Sequence, residues 1–193
     1  ITKALNTDKD SPLYRRVKLL GVAPKFEDEI LYKAPLSQGA VASRIVDCIS
    51  ADPMGDRDAI RRGREIDLSA ADIGRGLIFR KFFAEDKDWA ILRIMKNYFR
   101  AVAEAFPDLW ERQDNPLSKT IGYGALMRLL VDAFVEGSKK NDLSFEYFSE
   151  LMGRVKKNSV MDENTPLTFE SFAAAGSGES KLYGKLKEWA ELA

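Results

Sequence analysis

The chain has 193 residues, of which 45% are hydrophobic and 31% charged, so it is long enough to bury a sizeable core. Its 30 Lys and Arg residues balance its 30 Asp and Glu residues, which argues against a protein that binds nucleic acid by bulk positive charge. The absence of histidine excludes Ser-His and Cys-His nucleophile pairs and the usual histidine-containing zinc sites within this chain.

The single cysteine and the start of the chain indicate the compartment. Cys48 has no second cysteine to pair with, which favours a reducing compartment, and its apolar-rich surroundings favour a buried, inert thiol. The sequence has no run of eighteen apolar residues and opens on a polar segment without a signal peptide. We therefore expect a cytoplasmic protein outside the membrane. Because the chain begins with Ile1 rather than Met, we also expect it to be cut from a longer protein or to have a trimmed start.

The first half of the chain is predicted to form helices separated by Gly-rich and Pro-rich breaks. Ser11 and Pro12 suit a helix N-cap and a first turn, so LYRRVKLL is predicted to be a helix that Gly21 ends. The run EDEILYKAP is predicted to be irregular. Apolar spacing predicts a helix from about Ser37 to Ser50, then a turn-rich break over ADPMGDRD, and a further helix over residues 70–84.

The clearest predicted helix spans about Lys87 to Phe106, and Pro107 stops it. Its apolar residues recur on a broad face, which is typical of a central, heavily buried helix. The core side of this face is predicted to contain Leu92, Met95, Phe99, Val102 and Phe106.

The remainder of the chain also has helical periodicity. Helices are predicted after Asn115-Pro116 to about Glu136, from Ser144 as an N-cap, over residues 168–175, and after the break at residues 176–178. In the first of these, Gly122 and Gly124 weaken the isolated helix, which predicts close approach by a neighbouring helix. We predict an all-α fold for residues 1–193, in one domain that is an orthogonal bundle of about seven to eight helices.

The carboxylates around the central helix are Asp86, Asp88, Glu104, Asp108 and Glu111. Most lie near helix ends or on polar faces, where acidic residues favour solvent and the helix N-terminus. No spacing among them matches a set of metal ligands. The sequence therefore predicts no catalytic residue, no metal site and no cofactor in this chain.

Two basic clusters are candidate DNA contacts. Arg15 and Arg16 lie on the first predicted helix, and Arg61, Arg62 and Arg64 lie in a short segment that also holds acidic residues. Such clusters are more often solvated faces, or cations near helix C-termini. Their convergence on one face of the fold would favour contact with nucleic acid instead.

The segment GSGESK is a candidate phosphate site. Gly176 and Gly178 allow backbone N–H groups to converge, Ser177 offers a hydroxyl, and Lys181 lies in the first turn of the next helix, where an anion would offset its charge. The spacing is not that of a Walker loop. An ordinary turn between two helices is the alternative, and the negative charge of Glu179 favours that alternative.

Several runs resemble the DGQHR-domain family. The opening ALNTDKDSPLYRRVKLLG resembles the segment that follows the family's eponymous motif. The runs IMKNYFRAVAEAFPDLWE and NPLSKTIGYGALMRLL, and the ending FAAAGSGESKLYGKL, resemble its helical part. The likeness spans most of the chain, and the two middle runs are the most specific. The Asp-Gly-Gln-His-Arg motif itself is absent, as the lack of histidine requires.

The family includes proteins similar to the DndB-type regulators of DNA phosphorothioation and others near DNA-modification and defence systems. The resemblance implies a C-terminal helical portion that associates with DNA and is non-catalytic on its own. Its partners would be DNA and a motif-bearing half upstream of Ile1. Two alternatives stay open. The chain is a scaffold that binds other proteins, or it is half of an enzyme whose catalytic groups lie upstream.

Overall fold

A computed structural model of the chain describes residues 1–19, 35–69, 71–111, 116–117, 119–172 and 177–192, without the side chain of Phe169. Over these residues the chain forms ten α-helices and two short strands, which confirms the all-α prediction but exceeds the expected seven to eight helices. The helices are α1 (Thr2–Thr7), α2 (Gln38–Asp47), α3 (Pro53–Arg61), α4 (Arg80–Ala84), α5 (Asp88–Ala105), α6 (Pro107–Glu111), α7 (Thr120–Lys139), α8 (Phe145–Met161), α9 (Phe169–Phe172) and α10 (Gly178–Trp189).

Helix α5 lies at the centre of one continuous hydrophobic core, as its broad apolar face predicted. It packs on α8, while α7 packs on α10. Met95, Phe99 and Val102 are fully buried, whereas Leu92 is only partly buried at the edge of the core. The ring of Phe99 stacks on that of Tyr123 at a centroid distance of 5.5 Å, which joins α5 to α7.

The predicted helix over LYRRVKLL is wrong for the residues that the structure describes. Residues 11–15 form turns, and Val17–Lys18 is strand β1, which pairs in parallel with strand β2 (Leu36–Ser37). Two backbone N–H groups that would bond within such a helix donate to the buried Asn6 instead. Arg15 N donates to the backbone carbonyl of Asn6, and Val17 N donates to its side-chain Oδ1 at 2.8 Å. The predicted end at Gly21 and the irregular run at residues 27–35 fall mostly in residues 20–34, outside the described residues.

Two further boundaries differ from the prediction. The expected break over residues 51–58 contains most of α3, which Asp52 caps by accepting from Gly55 N at 3.0 Å. The expected helix over residues 70–84 is a 3-10 turn at Ile73–Arg75 followed by the short helix α4. Gly76, with φ of 84°, separates them in a left-handed conformation that ends the first element.

The predicted reason for two glycines in α7, close approach by a neighbouring helix, is correct for one of them. A Cβ on Gly122 would meet the backbone of Pro116 and Leu117, and a Cβ on Gly124 would meet the carboxylate of Glu179 at the start of α10. The close neighbour is thus another helix for Gly124 only. At the other boundary, α5 ends before Pro107 as predicted, but this proline also begins α6.

Candidate nucleic-acid interface

The outward face of α5 carries an aromatic residue and three cations in line. Trp89, Arg93, Lys96 and Arg100 follow one another at intervals of four, three and four residues, which places them on one side of a helix. The opposite side of α5 is held in the core by its buried residues, so this stripe is directed away from the core. Trp89 is 59% exposed, which is unusual for so large an apolar ring. We call these four residues the α5 surface.

The cations of the α5 surface differ in how they are paired. Lys96 Nζ donates to Asp8 Oδ2 at 2.7 Å, and this hydrogen bond is the main reason that the pKa of Asp8 lies below its usual value. Arg100 Nε donates to Glu104 Oε1 at 2.8 Å within the same helix. Arg93 forms no ion pair with any of the described residues. Its guanidinium carbon lies 5.3 Å from the centroid of the Trp89 ring.

Two neighbouring open clefts meet at the α5 surface, and Arg93 and Asn97 line both. The first, about 470 Å³, lies between α5 and α1, where Leu5 and Asp8 line it. The second, about 620 Å³, lies between α5 and the start of α8, where Phe145 lines it. Arg93 therefore lines both clefts, and it is the one cation of this surface without an ion pair among the described residues.

The second cleft is held in shape by local hydrogen bonds. Asn97 Nδ2 donates to the carbonyl of Leu143 at 3.2 Å, which ties the turn before α8 to α5. Ser144 caps α8 by accepting from Tyr147 N at 3.2 Å. These contacts place the ring of Phe145 4.6 Å from the guanidinium carbon of Arg100. The surface thus has two arginine–aromatic pairs, one toward each end.

The predicted phosphate segment begins α10 in the structure. Gly176 lies outside the described residues, Ser177 is the N-cap residue without a side-chain cap, and Gly178 is buried against the carbonyl of Phe172. Lys181 Nζ donates to the carbonyl of Ser171 at 3.0 Å, so its charge is directed to the chain just before the segment. Binding of an anion here stays a prediction.

Arg15 and Arg16 precede β1. Arg15 has a left-handed backbone, with φ of 58°, and its guanidinium carbon lies 5.7 Å from the centroid of the Tyr14 ring. Arg16 donates to the carbonyl of Trp110 at 2.7 Å and to Glu111 Oε1 at 2.9 Å, and it lies over the Trp110 ring. Burial of this guanidinium lowers the pKa of Arg16. Through these contacts Arg16 joins the segment before β1 to α6, so its role here is structural.

Arg61, Arg62 and Arg64 lie at and beyond the C-terminal end of α3, and all three are exposed. Arg61 in the last turn complements the helix dipole. The predicted candidates therefore belong to three different segments of the chain, namely the end of α3, the segment before β1 and the start of α10. The prediction missed the α5 surface, although its spacing of four, three and four residues is visible in the sequence.

The described residues offer little else for chemistry. Cys48 is buried as predicted, and burial raises the pKa of its thiol to about 12. Within the described ranges, no three side chains among Cys, Asp and Glu are grouped so that they would hold a metal ion. None of the helices in those ranges combines the length and apolar character needed to cross a membrane. Comparisons with protein-family models, curated proteins and solved structures find no match.

Proposed function

We propose that this chain binds DNA through the α5 surface and is a non-catalytic, DNA-associated portion of a cytoplasmic DGQHR-type protein. The observation that carries the proposal is Arg93, an exposed guanidinium with no carboxylate partner among the described residues, between two clefts and against an exposed tryptophan. Arginine is suited to phosphate because its planar guanidinium donates two parallel hydrogen bonds. The resemblance to the DGQHR-domain family is the second support.

Lys96 and Arg100 add to this surface because their ion pairs are weak competitors for a phosphate. The Lys96 and Asp8 side chains are 30% and 44% exposed, and those of Arg100 and Glu104 are 62% and 52% exposed. Exposed pairs of this kind stabilise a protein by no more than about 1 kcal/mol each. Both cations can therefore exchange a carboxylate for a phosphate at low cost. Because the net charge of the chain is zero, binding to DNA would depend on this local group of cations. The affinity of such phosphate contacts falls strongly as the salt concentration rises.

The proposal is tested by fluorescence anisotropy with a labelled DNA duplex that carries a single-stranded tail. We expect binding at about 50 mM salt, and the logarithm of the association constant should fall linearly with the logarithm of the salt concentration. Arg93→Ala should weaken binding and reduce that slope by about 0.7 to 0.9, the value for one phosphate contact. Arg75→Ala removes another exposed arginine, outside α5, and should leave both quantities unchanged. Absence of binding at low salt, or equal effects of the two variants, would contradict the proposal.

A scaffold that binds another protein is the second candidate, and α3 favours it. No residue of α3 is buried, and Met54 and Ile60 on it are 60% and 48% exposed. Leu68 and Ile73 in the following segment are also exposed. Large apolar residues exposed in one stretch of chain are typical of protein contacts. Failure of the chain to bind DNA at low salt would favour this candidate.

A further inference from the structure

We infer that the α5 surface binds single-stranded DNA, with one unpaired base stacked on the indole of Trp89. This inference rests on the proposed function and specifies its ligand. Trp89 lies in the first turn of α5 and is 59% exposed, whereas Trp110 and Trp189 are 5% and 2% exposed. Among the described residues, the Trp89 indole nitrogen has no hydrogen-bond partner. Apart from its contact with Arg93, the described residues give no reason for a tryptophan at this position.

The arrangement of rings and cations suits an unpaired strand. The Trp89–Arg93 pair and the Arg100–Phe145 pair lie toward opposite ends of the surface, and Lys96 lies between them. From residue 89 to residue 100 the helix rises by about 16 Å, which is enough for several nucleotides. Base faces in a duplex are covered by their neighbours in the stack, so an aromatic side chain on a rigid helix reaches them only in a single strand.

The charges around the first cleft orient the strand. Asp8 and Asp10 line this cleft together with Arg93 and Arg100, and a phosphate beside the two carboxylates would be repelled. The phosphates are therefore placed along Arg93 and Arg100, and a phosphate reaches Lys96 only where it replaces Asp8 as the partner of the ammonium group. The indole of Trp89 and the partly buried Leu92, which line the same cleft, receive the base. This combination of a cationic track with an aromatic platform is how proteins bind single strands without reading their sequence.

The test compares a labelled single strand of about twelve nucleotides with the same strand annealed to its complement. We expect the single strand to bind more tightly and to quench the fluorescence of Trp89, the one exposed tryptophan of the chain's three. Trp89→Ala should weaken single-strand binding by about 5-fold to 100-fold, the usual contribution of one stacked base. Trp89→Phe should retain most of the affinity because a phenyl ring still stacks. Neither variant should change duplex binding.

Leu68→Ala is the matched control, since it also truncates an exposed apolar side chain, and it should leave single-strand binding unchanged. Equal affinity for single strand and duplex, or an unchanged affinity of Trp89→Ala, would overturn the inference. In that case, binding of the tailed duplex that depends on Arg93 would still support the proposed function. Absence of binding to all three DNA forms would overturn both.

Discussion

The guanidinium of Arg80 binds both carboxylate oxygens of Asp56, with N···O distances of 2.6 and 3.0 Å. Arg80 is 8% exposed, and its other donors go to the carbonyls of Ile49 and Asp67. Ser50 Oγ also donates to Asp56. Because α3 has no buried residue, this pair is the main described contact that holds the helix against α4.

We predict that Asp56→Asn lowers the free energy of unfolding by about 2 to 4 kcal/mol, measured by urea denaturation. The substitution keeps the shape of the side chain but leaves Asp72, at 3.6 Å, as the one described carboxylate paired with the Arg80 guanidinium. The expected loss is somewhat below that of a fully buried pair because the Asp56 side chain is 20% exposed. Asp58→Asn, on the same helix but exposed, should cost less than about 1 kcal/mol.

The same pair predicts a pH dependence. The hydrogen bond from Arg80 lowers the pKa of Asp56 in the folded protein. A lowered folded-state pKa contributes stability that is fully present above the unfolded value of about 3.9 and is lost as the pH falls through the folded value. The difference in stability between the wild type and Asp56→Asn should therefore be constant from about pH 5 to pH 7 and shrink below about pH 4. A difference that grew as the pH fell would contradict this assignment.

The second prediction concerns the core of α5. Phe99 is fully buried and stacks on Tyr123, so Phe99→Ala should lower the free energy of unfolding by about 3 to 5 kcal/mol. Leu92, on the edge of the same helix, is only partly buried, so Leu92→Ala should lower the free energy of unfolding by a smaller amount. Both are measured by thermal or urea unfolding. A cost below about 1 kcal/mol for Phe99→Ala would contradict the central position of α5.

The sequence was sufficient to predict α5, α7, α8 and α10, because their apolar residues recur at helical spacing, and Ser144 caps α8 as predicted. It was insufficient for the segment before β1. There the buried side chain of Asn6, eleven residues away, accepts from Val17 N, a tertiary contact that no local pattern indicates. Helix α3 was missed although Asp52 and Pro53 are a typical helix start. Its polar composition outweighed that signal, since α3 buries nothing.

The α5 surface could likewise be predicted from the sequence only in part. Its helical spacing can be read from the sequence, but exposure and pairing cannot. Whether Lys96 is paired depends on Asp8, which lies 88 residues away along the chain. The position of Phe145 beside Arg100 depends likewise on the turn that Asn97 holds. Arg93 was indistinguishable from many other arginines until the fold showed which carboxylates are near it.

The third prediction is that the chain alone has no nuclease or other hydrolytic activity. It contains no histidine, and its described carboxylates form no group able to hold a metal ion. Purified protein should leave single-stranded and duplex DNA intact in the presence of Mg²⁺, Mn²⁺ or Zn²⁺. Robust turnover that a single Asp or Glu substitution abolishes would contradict the prediction, whereas turnover that persists in such variants would indicate a contaminant.

The last prediction concerns the two glycines of α7 that approach other parts of the chain closely. A Cβ on Gly122 would meet backbone atoms of Pro116 and Leu117, so Gly122→Ala should cost more than about 2 kcal/mol of unfolding free energy. A Cβ on Gly124 would instead meet the carboxylate of Glu179, which is able to move but is held by Arg44 at 2.5 Å. Gly124→Ala should therefore cost less, because the lost ion pair is partly exposed and alanine favours the helix.

A double-mutant cycle separates these contributions to Gly124→Ala. In a Glu179→Ala background the obstacle is gone, and Gly124→Ala should become stabilising by up to about 1 kcal/mol, the difference in helix propensity. Gly153→Ala is the control, since this glycine lies on the exposed side of α8 with open space around it. It should stabilise the protein equally in both backgrounds. If Gly124→Ala destabilised both backgrounds to the same extent, Glu179 would not be the residue that requires a glycine at position 124.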